Sequence, residues 1–191
     1  MSSVTISGDT SGSVILQAPS VAGSTTLTLP TTSGTVLTNA TTQANLPPNI
    51  AGNGPAFSAY LGSNQSITSS VFTKIQCNTE QFDTNSNYDN ATNYRFTPTV
   101  AGYYQINGKF ASTVSTTLLV ITIYKNGSEF IRGADNRVSQ GASSTVQVNA
   151  LVYCNGTTDY LELYGYIAGT SPAFQGASTD TYFQGFLARG A

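Results

Sequence analysis

The stretch NYRFTPTVAGYYQI, residues 93–106, decides the fold. The pair Phe96-Thr97 closes one strand-like run, and Pro98, which has no N–H to give a ladder, ends it. Within residues 97–102 only Gly102 takes a positive φ without steric cost, so the turn is expected to use it there. Beyond it YYQINGKF (103–110) alternates with period two and puts Tyr104, Ile106 and Phe110 on one face.

Working outward, the same alternation recurs. LLVITIY (118–124), VQVNALVYC (146–154) and YLELYGYI (160–167) are rich in β-branched and aromatic residues and read as strands. Asn126-Gly127 and Asn155-Gly156 each sit between apolar runs, and both are expected to form type I′ hairpin turns. Gly185, between Phe183 and Phe186, leaves space for a close backbone approach in a last strand at the centre of a sheet. No window carries a helical period. Residues 56–191 therefore read as a β-sandwich head.

The N-terminal part is different. From Asp9 to Lys74 there is no charged residue, and short apolar segments alternate with Thr, Ser, Gly and Pro. TSGSVI (10–15) is echoed by TSGTVL (32–37), so residues 1–44 read as a strand-turn unit used twice. Its few large apolar residues cannot bury a core alone, which makes Val14, Leu16, Leu27, Leu29, Val36 and Leu37 candidates for docking onto a partner. NLPPNIAGNGP (45–55) reads as a linker stiffened by Pro47 and Pro48 and turned by Gly52 and Gly54.

Composition narrows the function. Only 8% of the 191 residues are charged, against about 25% in ordinary globular domains, a profile shared by β-rich fibres, capsid parts and adhesins. A net charge of −2 with seven scattered basic residues supplies no stripe for a phosphate backbone, so nucleic acid is not an expected partner. No apolar run approaches the roughly 20 residues of a membrane span, and no insertion is expected. The start MSSVTISGDTSG has no basic end followed by an apolar stretch, so synthesis in a cytoplasm is expected, and with it free thiols at Cys77 and Cys154.

The chain has no histidine, which removes Ser-His-Asp and Cys-His catalysis and histidine metal sites. Neither cysteine has a C-x-x-C partner for zinc. Carboxylates remain as formal material for sugar hydrolysis, but sequence cannot pair them, and they read as solvated loop and edge charges. No enzyme and no cofactor is expected. In DTNSNYDN (83–90), Asp83, Asn85, Asn87 and Asp89 have the alternate oxygen-bearing side chains of a calcium loop. Tyr88 stands where such a loop needs Gly and Tyr94 where it needs Glu, so the segment reads as a loop of Asx turns. The N-x-[ST] triplets at Asn39, Asn64, Asn90, Asn126 and Asn155 are expected by chance in so Asn/Thr/Ser-rich a chain.

The ordered motifs of the head resemble the globular domain of complement component 1 subunit q, the jelly roll shared with the tumour necrosis factor superfamily. PAFSAY (55–60) is similar to that family's opening strand, VFTKIQCNTEQFD (71–83) to the next, and residues 93–106 to its Phe-Thr, turn, Gly-x-Tyr motif, with Ala101 where the family has Pro. YKNG (124–127), DYLELY (159–164) and YFQGFL (182–187) follow in family order. The resemblance implies an all-β, ten-strand-type antiparallel jelly-roll sandwich, trimeric, preceded by an extended β-rich N-terminal arm. It makes Phe57, Tyr60, Phe96, Tyr104, Phe110, Tyr164, Phe183 and Phe186 the candidate trimer or core aromatics. Some members of that family bind calcium, but the site does not transfer onto these residues. No Gly-X-Y collagen period is present.

Residues 11–38 resemble the Thr/Ser/Gly-rich segment on the N-terminal side of bacteriophage tail-fibre and other virion proteins. Together the two resemblances imply a bacteriophage structural protein. It would be located at the virion surface, on head or tail, and attached to capsid or tail proteins through the arm. As a homotrimeric short fibre or adhesin it would bind host-surface glycan or protein. A capsid decoration protein bridging neighbouring subunits is the alternative, and a cellular ligand-binding module the second.

Overall fold

A computed structural model of the chain describes residues 3–7, 11, 13–17 and 52–191. The chain divides into two compact units, Met1–Asn39 and Ala40–Ala191. In the first, β1 (Ser3–Ser7) and β2 (Ser13–Gln17) form an antiparallel pair with Ser3 opposite Gln17 and Ser7 opposite Ser13. Val14 and Leu16 lie on β2, while Ile6 and Ile15 are each 57% exposed. Leu27, Leu29, Val36 and Leu37, the second echo and residues 45–51 of the expected linker lie outside the described residues.

In the head, the described residues form strands and turns and no helix. The strands are β3 (Ala56–Tyr60), β4 (Gln65–Ser66), β5 (Thr73–Lys74), β6 (Thr79–Asp83), β7 (Tyr88–Asp89), β8 (Arg95–Phe96) and β9 (Gly102–Ala111). They continue as β10 (Thr116–Lys125), β11 (Ser128–Asn136), β12 (Thr145–Cys154), β13 (Leu161–Gly169), β14 (Ala173–Phe174) and β15 (Tyr182–Gly190). One sheet has the order β12-β9-β15-β3-β6; the other runs β11-β10-β13-β8-β7, with β5 also on β13. All pairings are antiparallel, and the architecture is a jelly-roll sandwich.

The period-two pattern explains the layers. On β12, Val146, Val148, Ala150, Val152 and Cys154 are buried, and the intervening residues are exposed. Tyr104, Ile106 and Phe110 share the inner face of β9, as the alternation predicts. Between the sheets lies an aromatic cluster. Phe57 of β3 stacks on Phe96 of β8 with centroids 4.4 Å apart and on Tyr88 of β7 at 5.0 Å, and Phe183 of β15 meets it edge-on at 5.1 Å. Fully burying each such ring is worth about 2–3 kcal/mol. The two deep tyrosines satisfy their hydroxyls: Tyr88 donates to the carbonyl of Cys77 and Tyr104 to that of Val100. Cys77 and Cys154 are free and buried, and burial pushes the Cys154 thiol up to about 12.

Two turn expectations separate here. Asn126 and Gly127 take φ of 54° and 79°, the type I′ turn joining β10 to β11. Asn155-Gly156 is not a hairpin. β12 and β13 belong to opposite sheets, so the loop crosses the sandwich. The Asn155 side-chain oxygen accepts the amides of Thr157, Thr158 and Asp159, an Asx turn, and only Gly156 has positive φ. Asp159 ties this loop to the hairpin through Asn126 and Lys125.

The reason for Gly102 also differs from expectation: it is absent from the positive-φ glycines among the described residues. Space is what excludes a side chain. A Cβ at Gly102 would lie 2.4 Å from the Arg189 carbonyl and 2.7 Å from Leu187 Cδ1. Gly185 is as expected: β15 is the central strand of its sheet, and a Cβ there would meet Ile106 Cδ1 at 2.5 Å and the Gln105 carbonyl at 2.9 Å. Gly102→Val must push β15 off β9 and should cost about 1–3 kcal/mol by overpacking, lowering the Tm of the head. An unchanged Tm would show that β15 yields freely at its C-terminal end.

Candidate interaction surface

The outer face of the five-stranded sheet is the least ordinary surface of the head. β3, β9, β12 and β15 together carry two charged residues, Lys109 and Arg189. Register sets what the face shows. Leu151, Gln105, Phe186 and Ala56 lie side by side across β12, β9, β15 and β3, and Asn149, Asn107, Gln184 and Ser58 form the next row. At the end near residue 191, Tyr103 pairs with Tyr153, their centroids 5.4 Å apart. Leu151 is 60% exposed, Phe186 50%, and Phe82 of β6 51%.

Large apolar side chains at that exposure, grouped on one weakly charged face, mark an interaction site rather than scattered surface residues. Tyr103, Leu151, Tyr153, Ala188, Arg189, Gly190 and Ala191 line an open hollow of about 490 Å³. A smaller one of about 220 Å³ lies between Phe82 and Phe186. The Arg189 guanidinium is exposed and makes no hydrogen bond, ion pair or ring contact among the described residues. The outer face of the six-stranded sheet contrasts with this: Lys74 pairs with Glu162, and Arg132 with Glu129 and Asp135.

The eight aromatics singled out from sequence divide by location. Phe57, Phe96, Tyr104, Phe110 and Phe183 are in the core. Phe186 is on the open face of the five-stranded sheet, Tyr60 is half-buried on β3, and Tyr164 is half-buried on the outer face of the six-stranded sheet, stacked on Tyr124. Sequence reasoning passed over Phe82, Tyr103, Leu151 and Tyr153. A signal was present on β12, where the outward parity changes from Gln147 and Asn149 to Leu151 and Tyr153.

In the 83–90 loop, the oxygens of the candidate calcium residues serve the turns. Asp83 accepts the amides of Asn85 and Tyr88, and Asn87 Oδ1 accepts Thr99 N. Asp89 accepts the amides of Ala91, Thr92 and Asn93 and the Asn93 side chain. Among the described residues no three His, Cys, Asp or Glu side chains are grouped to hold a metal ion.

No family model matches the chain, and no curated protein does. Solved structures do match its fold. Murine APRIL at pH 5.0 aligns with a TM-score of 0.55 at 8% identity over 70% of this chain and 98% of its own. The PRD1 vertex protein P5 aligns with a TM-score of 0.50 at 17% identity over 70% of this chain and 96% of its own. The head is a TNF-like jelly roll.

Backbone amides of Thr92 and Ala91 lead in holding the Asp89 carboxyl down from 3.8 to about 2. The folded group stays charged to lower pH than the unfolded one, so its contribution is present above about pH 4 and lost as pH falls toward about 2. Asp89→Asn should therefore flatten the decline of Tm across that window. An acid limb as steep as the parent's would mean that the turn amides do not hold the charge.

Proposed function

We propose that the chain is a non-enzymatic structural protein of a bacteriophage particle. It is displayed as a homotrimer through its N-terminal arm, with the head facing outward for host-surface binding. The observation that carries self-association is the open face around Tyr103, Leu151, Tyr153 and Phe186, where a second copy buries aromatic area beside a single charged side chain, Arg189. A second exposed apolar pair lies elsewhere, on the edge strand β11, where Phe130 is 49% exposed and Ile131 38%. Two different patches suit a head-to-tail contact, which closes into a ring when the rotation allows. Support for a virion location comes from the fold shared with a phage vertex protein and from the charge-poor arm.

The parent should have a mass three times that of the 20.0 kDa chain. Leu151→Asp and Phe130→Asp should each give monomers, and an equimolar mixture should give one-to-one pairs through the one intact combination of patches. A monomeric parent sinks self-association. A Phe130→Asp protein that stays fully assembled sinks the head-to-tail arrangement.

Deleting residues 1–44 should leave a trimeric head with unchanged Tm and abolish incorporation into particles. Full occupancy of particles by the truncated protein would place docking in the head.

A further inference from the structure

The geometry points to a binding site for a neutral oligosaccharide on the outer face of the six-stranded sheet, formed by Tyr124, Tyr164, Tyr166, Phe72, Arg132 and Glu129. This deepens, and rests on, the host-binding reading above. On β13 the outward residues Tyr164 and Tyr166 follow one another, with Thr122 and Val120 of β10 opposite them. Tyr124 stacks on Tyr164 at 3.9 Å and 15°, and Phe72 meets Tyr166 at 5.2 Å. The Arg132 guanidinium lies 5.5 Å from the Phe72 ring centroid while its Nε and Nη2 donate to the two Glu129 carboxylate oxygens, each at 2.9 Å. Residues from β11 and from the segment before β5 thus meet above β10 and β13, over the buried Val120 and Thr122.

Three features name the ligand class. Among the described residues the hydroxyls of Tyr124, Tyr164 and Tyr166 have no protein partner, whereas the two buried tyrosines donate to main-chain carbonyls. Each free phenol offers one donor and acceptor lone pairs, the pattern that sugar hydroxyls match. Beside them a guanidinium and a carboxylate lie side by side, presenting donors and acceptors to neighbouring hydroxyls of one ring. The charges cancel locally: Arg132 and Arg137 are matched by Glu129 and Asp135, and Lys74 by Glu162, which leaves no net field to select a polyanion or a polycation. The rings are held by stacking and the Arg132 fork by Glu129, so little side-chain entropy remains to be lost on binding. The site is on the sheet opposite the Tyr103, Leu151 and Phe186 face; its Glu129 and Arg132 flank Phe130 and Ile131 on β11, whereas Phe72, Tyr124, Tyr164 and Tyr166 come from other segments.

The test applies the full-length protein to an array of immobilised neutral and acidic oligosaccharides and immobilised host-envelope proteins. Binding to a neutral oligosaccharide is expected. The double variant Tyr164→Phe/Tyr166→Phe keeps both rings and removes both hydroxyls; it should bind about tenfold more weakly with Tm and assembled mass unchanged. Leu151→Asp, on the other sheet, should lose assembly but retain binding per head. No neutral oligosaccharide bound, binding only to acidic sugars or to protein, or a double variant binding like the parent would each overturn the inference while leaving the particle and trimer readings intact. Sugar binding by a parent that proves monomeric would overturn the trimer instead.

Discussion

The stacking of Phe57 between Phe96 and Tyr88 is the contact on which the sandwich depends. Phe57 belongs to the five-stranded sheet and its two stacking partners to β8 and β7 of the other, so this cluster fixes the spacing of the layers where the strands are shortest. β7 and β8 are two residues each and hold few ladder hydrogen bonds of their own. Their position is set by burial of Tyr88 and Phe96, and through Phe96 by Tyr104 of β9. Tyr104 in turn ties the turn before β9 by its bond to Val100. The C-terminal residue and the β12–β13 loop close on the same turn: Ala191 N donates to Ala101 O, and Gly156 packs against Ala101 with no space for a Cβ.

With the inner faces committed to this core, the two outer faces are free to differ. The six-stranded sheet is partly covered by its own ion pairs and stacked tyrosines. The outer face of β3, β9, β12 and β15 is left with amides, tyrosines, Leu151 and Phe186, and with Lys109 and Arg189 as its two charges. Charge is expensive to bury against a partner and harmless against water, so the nearly uncharged face is the one suited to a second copy, and the ion-paired face the one suited to solvent and ligand. On the reading proposed above, the ion-paired face takes ligand, and the open face of the five-stranded sheet meets the exposed Phe130 and Ile131 of β11 in a second copy.

Much of this was legible from residues alone. Alternating, β-branched and aromatic runs marked β9, β10, β12 and β13, though not β11, and the Asn126-Gly127 turn followed from the positive φ demanded at both positions. The alternation at residues 103–110 and the Gly between Phe183 and Phe186 marked the inner face of β9 and the close approach at β15. The Asx-turn reading of residues 83–90 rested on side-chain chemistry that acts over a few residues. Each of these is local, and local geometry is what a sequence encodes most directly.

Other features depended on partners distant in the chain. Asn155-Gly156 carries a hairpin signal, yet β12 and β13 go to different sheets, a choice made by the whole sandwich and not by the dipeptide. Gly102 is required by the carbonyl of Arg189, 87 positions away, and not by its own dihedral. Alternation divides aromatics into two faces but does not say which face another sheet will cover, so Phe183 and Phe186 were indistinguishable until the layers were stacked. The sequence by itself determined the strands, their parity and the scarcity of charge. Only the tertiary structure decided which face became core and which stayed open, because burial depends on what packs opposite and not on the strand that carries the residue.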